Sequence, residues 1–251
     1  MNLWRLEWVR LTRTGRVFIL LAVFFSFGII GPLTVRYLPE ILDAVGSGEV
    51  QIEILDELPP VTPEFAMSSF LGNALQFGLL AVAFVGAAAL AIDAKPEISV
   101  FFRSRSTIPQ IIAPRFVVNA AAAVFAFAMG VVTAVVTSGI LIDWPEATPT
   151  IVGSLLVALY LVFVVALVAL IGSLVRGVPA TALLTVGALI ALSLIGLLRP
   201  IEPWLPSYLV GGFDGVIAGG DFVYWRAVVA TVAAIAVALW IAIVRLRHRE
   251  V

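Results

Sequence analysis

The chain contains no cysteine, one histidine and one lysine, and only 12% of its 251 residues are charged. Without cysteine, it has no disulfide framework, no thiolate nucleophile and no zinc-thiolate site. The histidine, His248, lies in the basic tail, so no serine–histidine pair or histidine metal site is expected elsewhere. The lysine, Lys95, precedes a proline and does not complete the Gly-Lys-Ser/Thr ending of a P-loop. Catalysis and nucleotide hydrolysis by this chain are therefore not expected.

Apolar residues, by contrast, make up 62% of the chain, and the mean hydropathy is +1.13. A soluble domain usually has about 25% charged residues, and one core of this size could not enclose so much apolar surface. The net charge of -1 and the absence of a basic stripe argue against nucleic acid as a partner. We therefore predict an all-α polytopic membrane protein in contact with membrane lipid.

Six stretches are long enough to cross a hydrocarbon layer, which takes about 20 apolar helical residues. They are predicted at 17–35, 65–92, 111–138, 151–175, 179–198 and 222–244. No signal-peptide cleavage site follows the first, so we expect this helix to be retained. Gly177 and Pro179 separate the fourth and fifth stretches and predict a tight antiparallel hairpin.

The charged residues predict the orientation. With the N-terminus in the cytoplasm, 12 of the 15 basic residues lie inside and 12 of the 16 acidic residues lie outside. We therefore expect a multi-pass protein of the plasma membrane with both termini in the cytoplasm. The segment 36–64 becomes an acidic extracellular loop, either a solvated spacer or a cap over an exit path.

Polar residues within the spans are few. Ionisable ones, such as Asp93, Arg115 and Arg226, lie only at the edges, which argues against a proton-coupled transporter or a charge-lined channel. The uncharged polar residues could form inter-helix hydrogen bonds. Alternatively, they could line a substrate pathway, for which the candidates are Asn73, Gln76, Asn119, Thr133 and Tyr160.

Residues 1–16 precede the first span and combine aromatic and basic side chains. Trp4, Trp8 and Leu11 recur at helical spacing, while arginines occupy the other side. This pattern predicts either a helix lying in the cytoplasmic interface or a simple topology anchor.

The segment 93–115 is the longest predicted cytoplasmic loop. Within it, Ile98, Phe101, Phe102 and Arg105 recur at i, i+3, i+4 and i+7, which predicts a short amphipathic helix. Large aromatic residues flanked by arginines are typical of a protein contact surface. Burial of these rings against lipid is the alternative.

The segment 199–221 is too apolar for a free loop and too rich in proline and glycine to span a membrane. Such a segment can enter the outer leaflet where protein covers its backbone. Gly211, Gly215 and Gly219 recur every four residues, which fits either close packing of a short helix or loop flexibility.

In this order, the segments resemble the membrane permease subunits of ABC-2 type (type V) exporters along essentially the whole chain. The resemblance identifies 1–16 with the family's elbow helix, 93–115 with its cytoplasmic coupling loop, and 199–221 with its re-entrant segment between spans five and six. It implies contacts with an ATPase subunit at Asp93, Glu97, Phe101, Phe102, Arg103 and Arg105. Pro96 and Glu97 stand where the family often has glycine after the acidic residue.

The resemblance implies that two permease chains, identical or different, form the pathway and that separate ATPase subunits use ATP and magnesium. This chain itself would bind no cofactor. The apolar spans suggest a hydrophobic or amphipathic cargo, such as an antibiotic, a peptide or a lipid. A membrane assembly or immunity protein that transports nothing is the alternative, and a channel or facilitator is disfavoured by the contact-like loop.

Overall fold

A computed structural model describes residues 3–45, 60–91, 107–220 and 223–248. These residues form eight α-helices and one 3₁₀ turn, Glu202–Trp204, and contain no strand. The helices are α1 (Leu3–Arg13), α2 (Arg16–Val45), α3 (Pro63–Leu90), α4 (Ile108–Leu141), α5 (Ala147–Leu174), α6 (Val178–Ile195), α7 (Tyr208–Ile217) and α8 (Trp225–Arg247).

Six of these helices, α2 to α6 and α8, are long and apolar enough to cross a membrane. The prediction of an all-helical membrane protein with six spans is confirmed in the number, length and apolar composition of these helices. The link between α5 and α6 consists of residues 175–177, and the two helices pack against each other as the predicted hairpin requires. Proline in the first turn of α6 fits this sharp restart, since its missing N–H would lack a helical partner there.

The first span extends further than its hydropathy indicates. Helix α2 continues to Val45, so the first ten residues of the predicted loop 36–64 are helical. Arg36 and Glu40 form an exposed ion pair at 3.4 Å with the i, i+4 spacing that supports a helix. The loop is correspondingly shorter, and residues 46–59 lie outside the described part of the chain.

Helix α4 begins earlier than predicted. Its first residue is Ile108, so residues 108–115 of the predicted loop 93–115 belong to a continuous helix. The Thr107 N–H donates a hydrogen bond of 3.0 Å to Oε1 of Gln110, which satisfies one of the unpaired groups at this helix end. Arg115 is therefore the eighth residue of a 34-residue helix rather than the end of a loop.

Helices α3 and α5 form the centre of the bundle. Helix α2 packs on α3 and α4, while α5 contacts α3, α4, α6, α7 and α8. Glycines permit the closest approach: a Cβ at Gly130 would lie 2.8 Å from the carbonyl oxygen of Phe24, and one at Gly78 would lie 2.6 Å from its ring. Phe24 is completely buried and makes an edge-on contact with Phe127 at 5.7 Å between ring centroids. Backbone contact of this kind is typical of packed membrane helices.

Candidate functional site

The residues predicted to contact an ATPase subunit fall in a gap of the described chain. Residues 92–106 lie outside it, and they include Asp93, Glu97, Phe101, Phe102, Arg103 and Arg105. The structure describes the other predicted functional residues and the segments on either side of this gap.

The five pathway candidates are not in one environment. Asn119 on α4 and Tyr160 on α5 are both buried, whereas Gln76 on α3 is exposed. Asn73 and Thr133 are intermediate. The buried and exposed candidates therefore cannot all line one open surface of a single chain.

Three of these candidates hydrogen-bond within their own helix. The amide of Asn73 donates to Ser69 O at 2.9 Å, that of Asn119 donates to the carbonyl oxygen of Arg115 at 2.7 Å, and the Thr133 hydroxyl donates to the carbonyl oxygen four residues earlier at 2.8 Å. These hydrogen bonds each lie within one helix, whereas inter-helix hydrogen bonds were one of the two alternatives. Polar side chains with an i−4 carbonyl within reach can satisfy a donor without a neighbouring helix.

Gln76 lies on a surface of α3 that no described helix covers. It is the fourteenth of the 28 residues of α3, and Gly72, one turn earlier, is also exposed. A Cβ built at Gly72 would meet nothing within 4 Å. An amide in the middle of a span is costly against hydrocarbon, so this surface calls for protein or water as its neighbour.

A buried ion pair joins α1 to α4. Nε of Arg115 donates a hydrogen bond of 3.0 Å to Oε1 of Glu7, and both residues are 4% exposed. The Nη1 group of Arg115 donates to the carbonyl oxygen of Ala89, near the end of α3, at 3.3 Å. Arg115 thus ties α1 and α3 to α4 at one end of the bundle. Oδ1 of Asn119, one turn further along α4, is buried without a hydrogen-bonding partner among the described residues.

Helix α1 packs on the bundle through Glu7 and Leu11. Trp4 and Trp8 are 49% and 56% exposed, whereas Leu11, which we placed on the same face, is buried together with Glu7. Helical spacing alone grouped the tryptophans with Leu11. The single acidic residue of α1, one turn before Leu11, was the available signal for the contact with α4, and sequence reasoning missed it.

At the other end of the bundle, helix α7 packs closely on α5. Phe213 is fully buried, and a Cβ at Gly153 of α5 would lie 3.0 Å from its ring. The Ser68 hydroxyl of α3 donates a hydrogen bond of 2.6 Å to Oδ1 of Asp214. The segment 199–221 thus contains a short helix held against two spans. Its entry into the membrane stays a prediction.

The three regularly spaced glycines of this segment do different things. Gly211 is exposed with no neighbour within 4 Å of a Cβ position, Gly215 lies against the Tyr224 hydroxyl, and Gly219 has a φ of 80° just after α7 ends. Gly212, outside the pattern, is the glycine that packs on α5, against Leu156. The spacing is therefore not one packing stripe.

An aromatic cluster surrounds the start of α8. The Trp204 and Trp225 rings meet at 6.5 Å, and the Arg226 guanidinium lies over them at 5.8 and 5.4 Å from their centroids. Tyr208 and Tyr224 pair at 5.2 Å. Burial, together with Tyr208 and Asp214 nearby, raises the pKa of Tyr224 above its ordinary value of 10.0.

Within residues 3–45, 60–91, 107–220 and 223–248, no three His, Asp or Glu side chains are grouped to hold a metal ion. Comparisons with protein-family models, with curated proteins and with solved structures found no match.

Proposed function

We propose that this chain is the membrane-spanning permease subunit of an ATP-binding cassette exporter of the ABC-2 type. Two permease chains would form a pathway for a hydrophobic or amphipathic substrate. A separate ATPase subunit would hydrolyse ATP with magnesium and drive transport. Both termini would lie in the cytoplasm, where the ATPase docks.

The order of elements carries this proposal. A short helix, α1, precedes the first long helix, and a second short helix, α7, lies between the fifth and sixth long helices. The same order defines the family that the sequence resembles, with an elbow helix before span one and a re-entrant segment before span six. Residues 93–107 of the predicted coupling loop stand in the sequence between the second and third long helices, where the family has its coupling helix.

The exposed polar surface of α3 supports a second chain beside the first. Gln76 and Gly72 are exposed near the middle of helix α3. A second permease chain across this surface, with a substrate path between the two, would remove the amide from hydrocarbon. Small residues at such positions allow a close helix–helix approach.

The ion pair of Glu7 with Arg115 supports mechanical coupling. Arg115, the last residue of the predicted coupling loop, lies near the start of α4 and contacts both α1 and the end of α3. Movement of the loop by an ATPase would therefore reach three helices at once. Such a device needs two arrangements of the bundle that the ATPase contacts differently.

The test is retention of an ATPase by the purified chain. Phe101→Asp with Phe102→Asp is expected to leave the folded chain in the membrane but abolish co-purification of the ATPase. Tyr37→Asp with Val61→Asp is the matched control, since both residues are exposed at the opposite end of the bundle. We expect this control to retain the ATPase.

Undiminished co-purification with the Phe101/Phe102 variant would overturn the assigned coupling site. If no ATPase purifies with the wild-type chain and none alters its behaviour in proteoliposomes, the exporter proposal itself fails. A membrane assembly or immunity role would then explain the chain better.

A further inference from the structure

The turn between α1 and α2 brings two arginines together. Gly15 has a φ of 71°, a left-handed conformation in which glycine carries no steric penalty, and α2 begins at the next residue, Arg16. The Thr14 N–H donates to the carbonyl oxygen of Arg10 at 3.1 Å and closes the end of α1. Because the chain turns here, Arg16 lies near enough to Arg10 for their positive charges to interact.

The cluster at this turn holds more positive than negative charge. Oε1 of Glu7 lies 3.0 Å from Nε of Arg115 and 3.7 Å from Nη1 of Arg10, and Arg16 interacts electrostatically with all three groups. Glu7 thus contacts two guanidinium groups, and a third, that of Arg16, lies near them, which leaves an excess of two positive charges. The first turn of α2 contains no acidic residue, so the positive end of its helix dipole adds to this excess.

The surroundings place this charge at a membrane surface. The long apolar helix begins at Arg16 itself, and Phe18 and Ile19, in its first turn, are 64% and 52% exposed. Trp4 and Trp8 are exposed on α1, as is usual for aromatic residues at the level of lipid headgroups. The side chain of Arg10 is 27% exposed, so it is accessible from outside the protein.

We propose that Arg10 and Arg16 bind the phosphate of an anionic phospholipid in the leaflet next to α1. Guanidinium groups suit this ligand because their N–H groups match the oxygens of a phosphate. The lipid phosphate supplies the negative charge that Glu7 alone does not. Its acyl chains lie along the exposed start of α2, and a net negative headgroup is preferred over a zwitterionic one.

The experiment measures lipid retention by native mass spectrometry and thermal stability of the full chain in detergent. The added lipid is dioleoylphosphatidylglycerol or dioleoylphosphatidylcholine, and inorganic phosphate forms a third arm. We expect phosphatidylglycerol to be retained and to raise the unfolding temperature, and the other two to have much smaller effects. Equal stabilisation by inorganic phosphate, or by phosphatidylcholine, would overturn the assignment to an anionic lipid.

Arg10→Gln with Arg16→Gln is expected to weaken phosphatidylglycerol retention about tenfold or more. The Glu7–Arg115 pair is unchanged in this variant. Arg5→Gln with Arg13→Gln is the matched control, because it removes the same charge from exposed positions of α1. The control should retain the lipid like the wild type. Equal losses in both variants would show general attraction to a basic helix and would refute a site.

Glu7→Gln gives a second and opposite expectation. Without its carboxylate the cluster has three positive charges and no negative one, so phosphatidylglycerol should stabilise this variant more than it stabilises the wild type. A smaller or equal stabilisation would contradict the proposed balance between Glu7 and the lipid phosphate. This measurement also decides the matter if the double arginine variant does not fold.

Discussion

Arg115 donates a 3.0 Å hydrogen bond to Glu7, which lies 108 positions earlier in the sequence, and both side chains are almost fully buried. The pair fixes α1 to the start of α4, and through the carbonyl oxygen of Ala89 it also fixes the end of α3. A buried pair of this kind adds less stability than its Coulomb energy suggests, because both charges lose their hydration. Its clearest effect is to specify which helix ends meet.

Removal of one charge of this pair should be much more damaging than removal of both. We expect Glu7→Met to lower the free energy of unfolding by about 3 kcal/mol or more, because it leaves Arg115 buried without its carboxylate. Glu7→Met with Arg115→Met should recover much of this loss, since no charge then remains buried. Reversible unfolding in mixed micelles gives the free energies.

The exposed pair of Arg36 and Glu40 provides the control for these variants. Their side chains are 44% and 60% exposed, and Nη1 of Arg36 lies 3.4 Å from Oε1 of Glu40. Arg36→Met should therefore change the free energy of unfolding by about 1 kcal/mol at most. If Glu7→Met were as mild as Arg36→Met, the buried pair would have no structural importance.

Gly130 should tolerate no larger side chain. A Cβ there would lie 2.8 Å from the backbone of Phe24, in the tightest part of the α2–α4 contact. Gly130→Val should therefore destabilise the chain by about 1 to 3 kcal/mol through overpacking. Gly187→Val is the matched control, since Gly187 is also helical but has no neighbour within 4 Å of a Cβ position. Detergent thermal-shift measurements compare the two, and equal unfolding temperatures would contradict the packing of α2 on α4.

Hydropathy was sufficient to predict six spans, because span length and apolar composition are summed over some twenty residues and tolerate local error. The contact of Glu7 with Arg115 could not be predicted in this way. It depends on which helix ends meet in three dimensions, and no local pattern records that. The sequence predicted Arg115 at the edge of a span. In the structure, Glu7 of α1 packs against it, and hydropathy does not predict that α1 lies there.

The roles of the glycines in 199–221 could not be predicted from the sequence either. Their regular spacing is a property of the sequence, but the role of each depends on what lies opposite. Gly212 packs on α5 and Gly211, its immediate neighbour, is exposed. The short helix α7 was one of two alternatives from sequence, and its hydrogen bond to Ser68 required the position of α3.

Tyr224 should make stability fall at high pH. Burial raises its pKa above 10.0, so the folded state favours the neutral phenol and the unfolded state ionises first. Its contribution is complete below pH 10 and is lost as the pH rises through the folded-state pKa. Tyr224→Phe should remove this part of the pH dependence. Absorbance titration of tyrosinate, with unfolding measured at each pH, checks this, and a Tyr224→Phe profile identical to the wild type would contradict it.

The exposed surface of α3 can be tested by cross-linking, because the chain has no cysteine to remove. If a second copy packs across Gln76 in a twofold arrangement, Gln76→Cys should form a disulfide-linked dimer in membranes under mild oxidation. Val132→Cys is the matched control, since Val132 is 56% exposed within another span, α4. We expect no dimer from it.

The same two variants distinguish a protein neighbour from water. Reaction of Gln76→Cys with a membrane-impermeant maleimide, without disulfide formation, would indicate a water-filled path beside α3 and would contradict direct packing of two copies at this point. Equal cross-linking of Gln76→Cys and Val132→Cys would indicate random collision in the membrane. Selective dimer formation at Gln76 is the outcome that fits a second chain covering this mid-span amide, because a protein contact, like water, keeps the amide out of hydrocarbon.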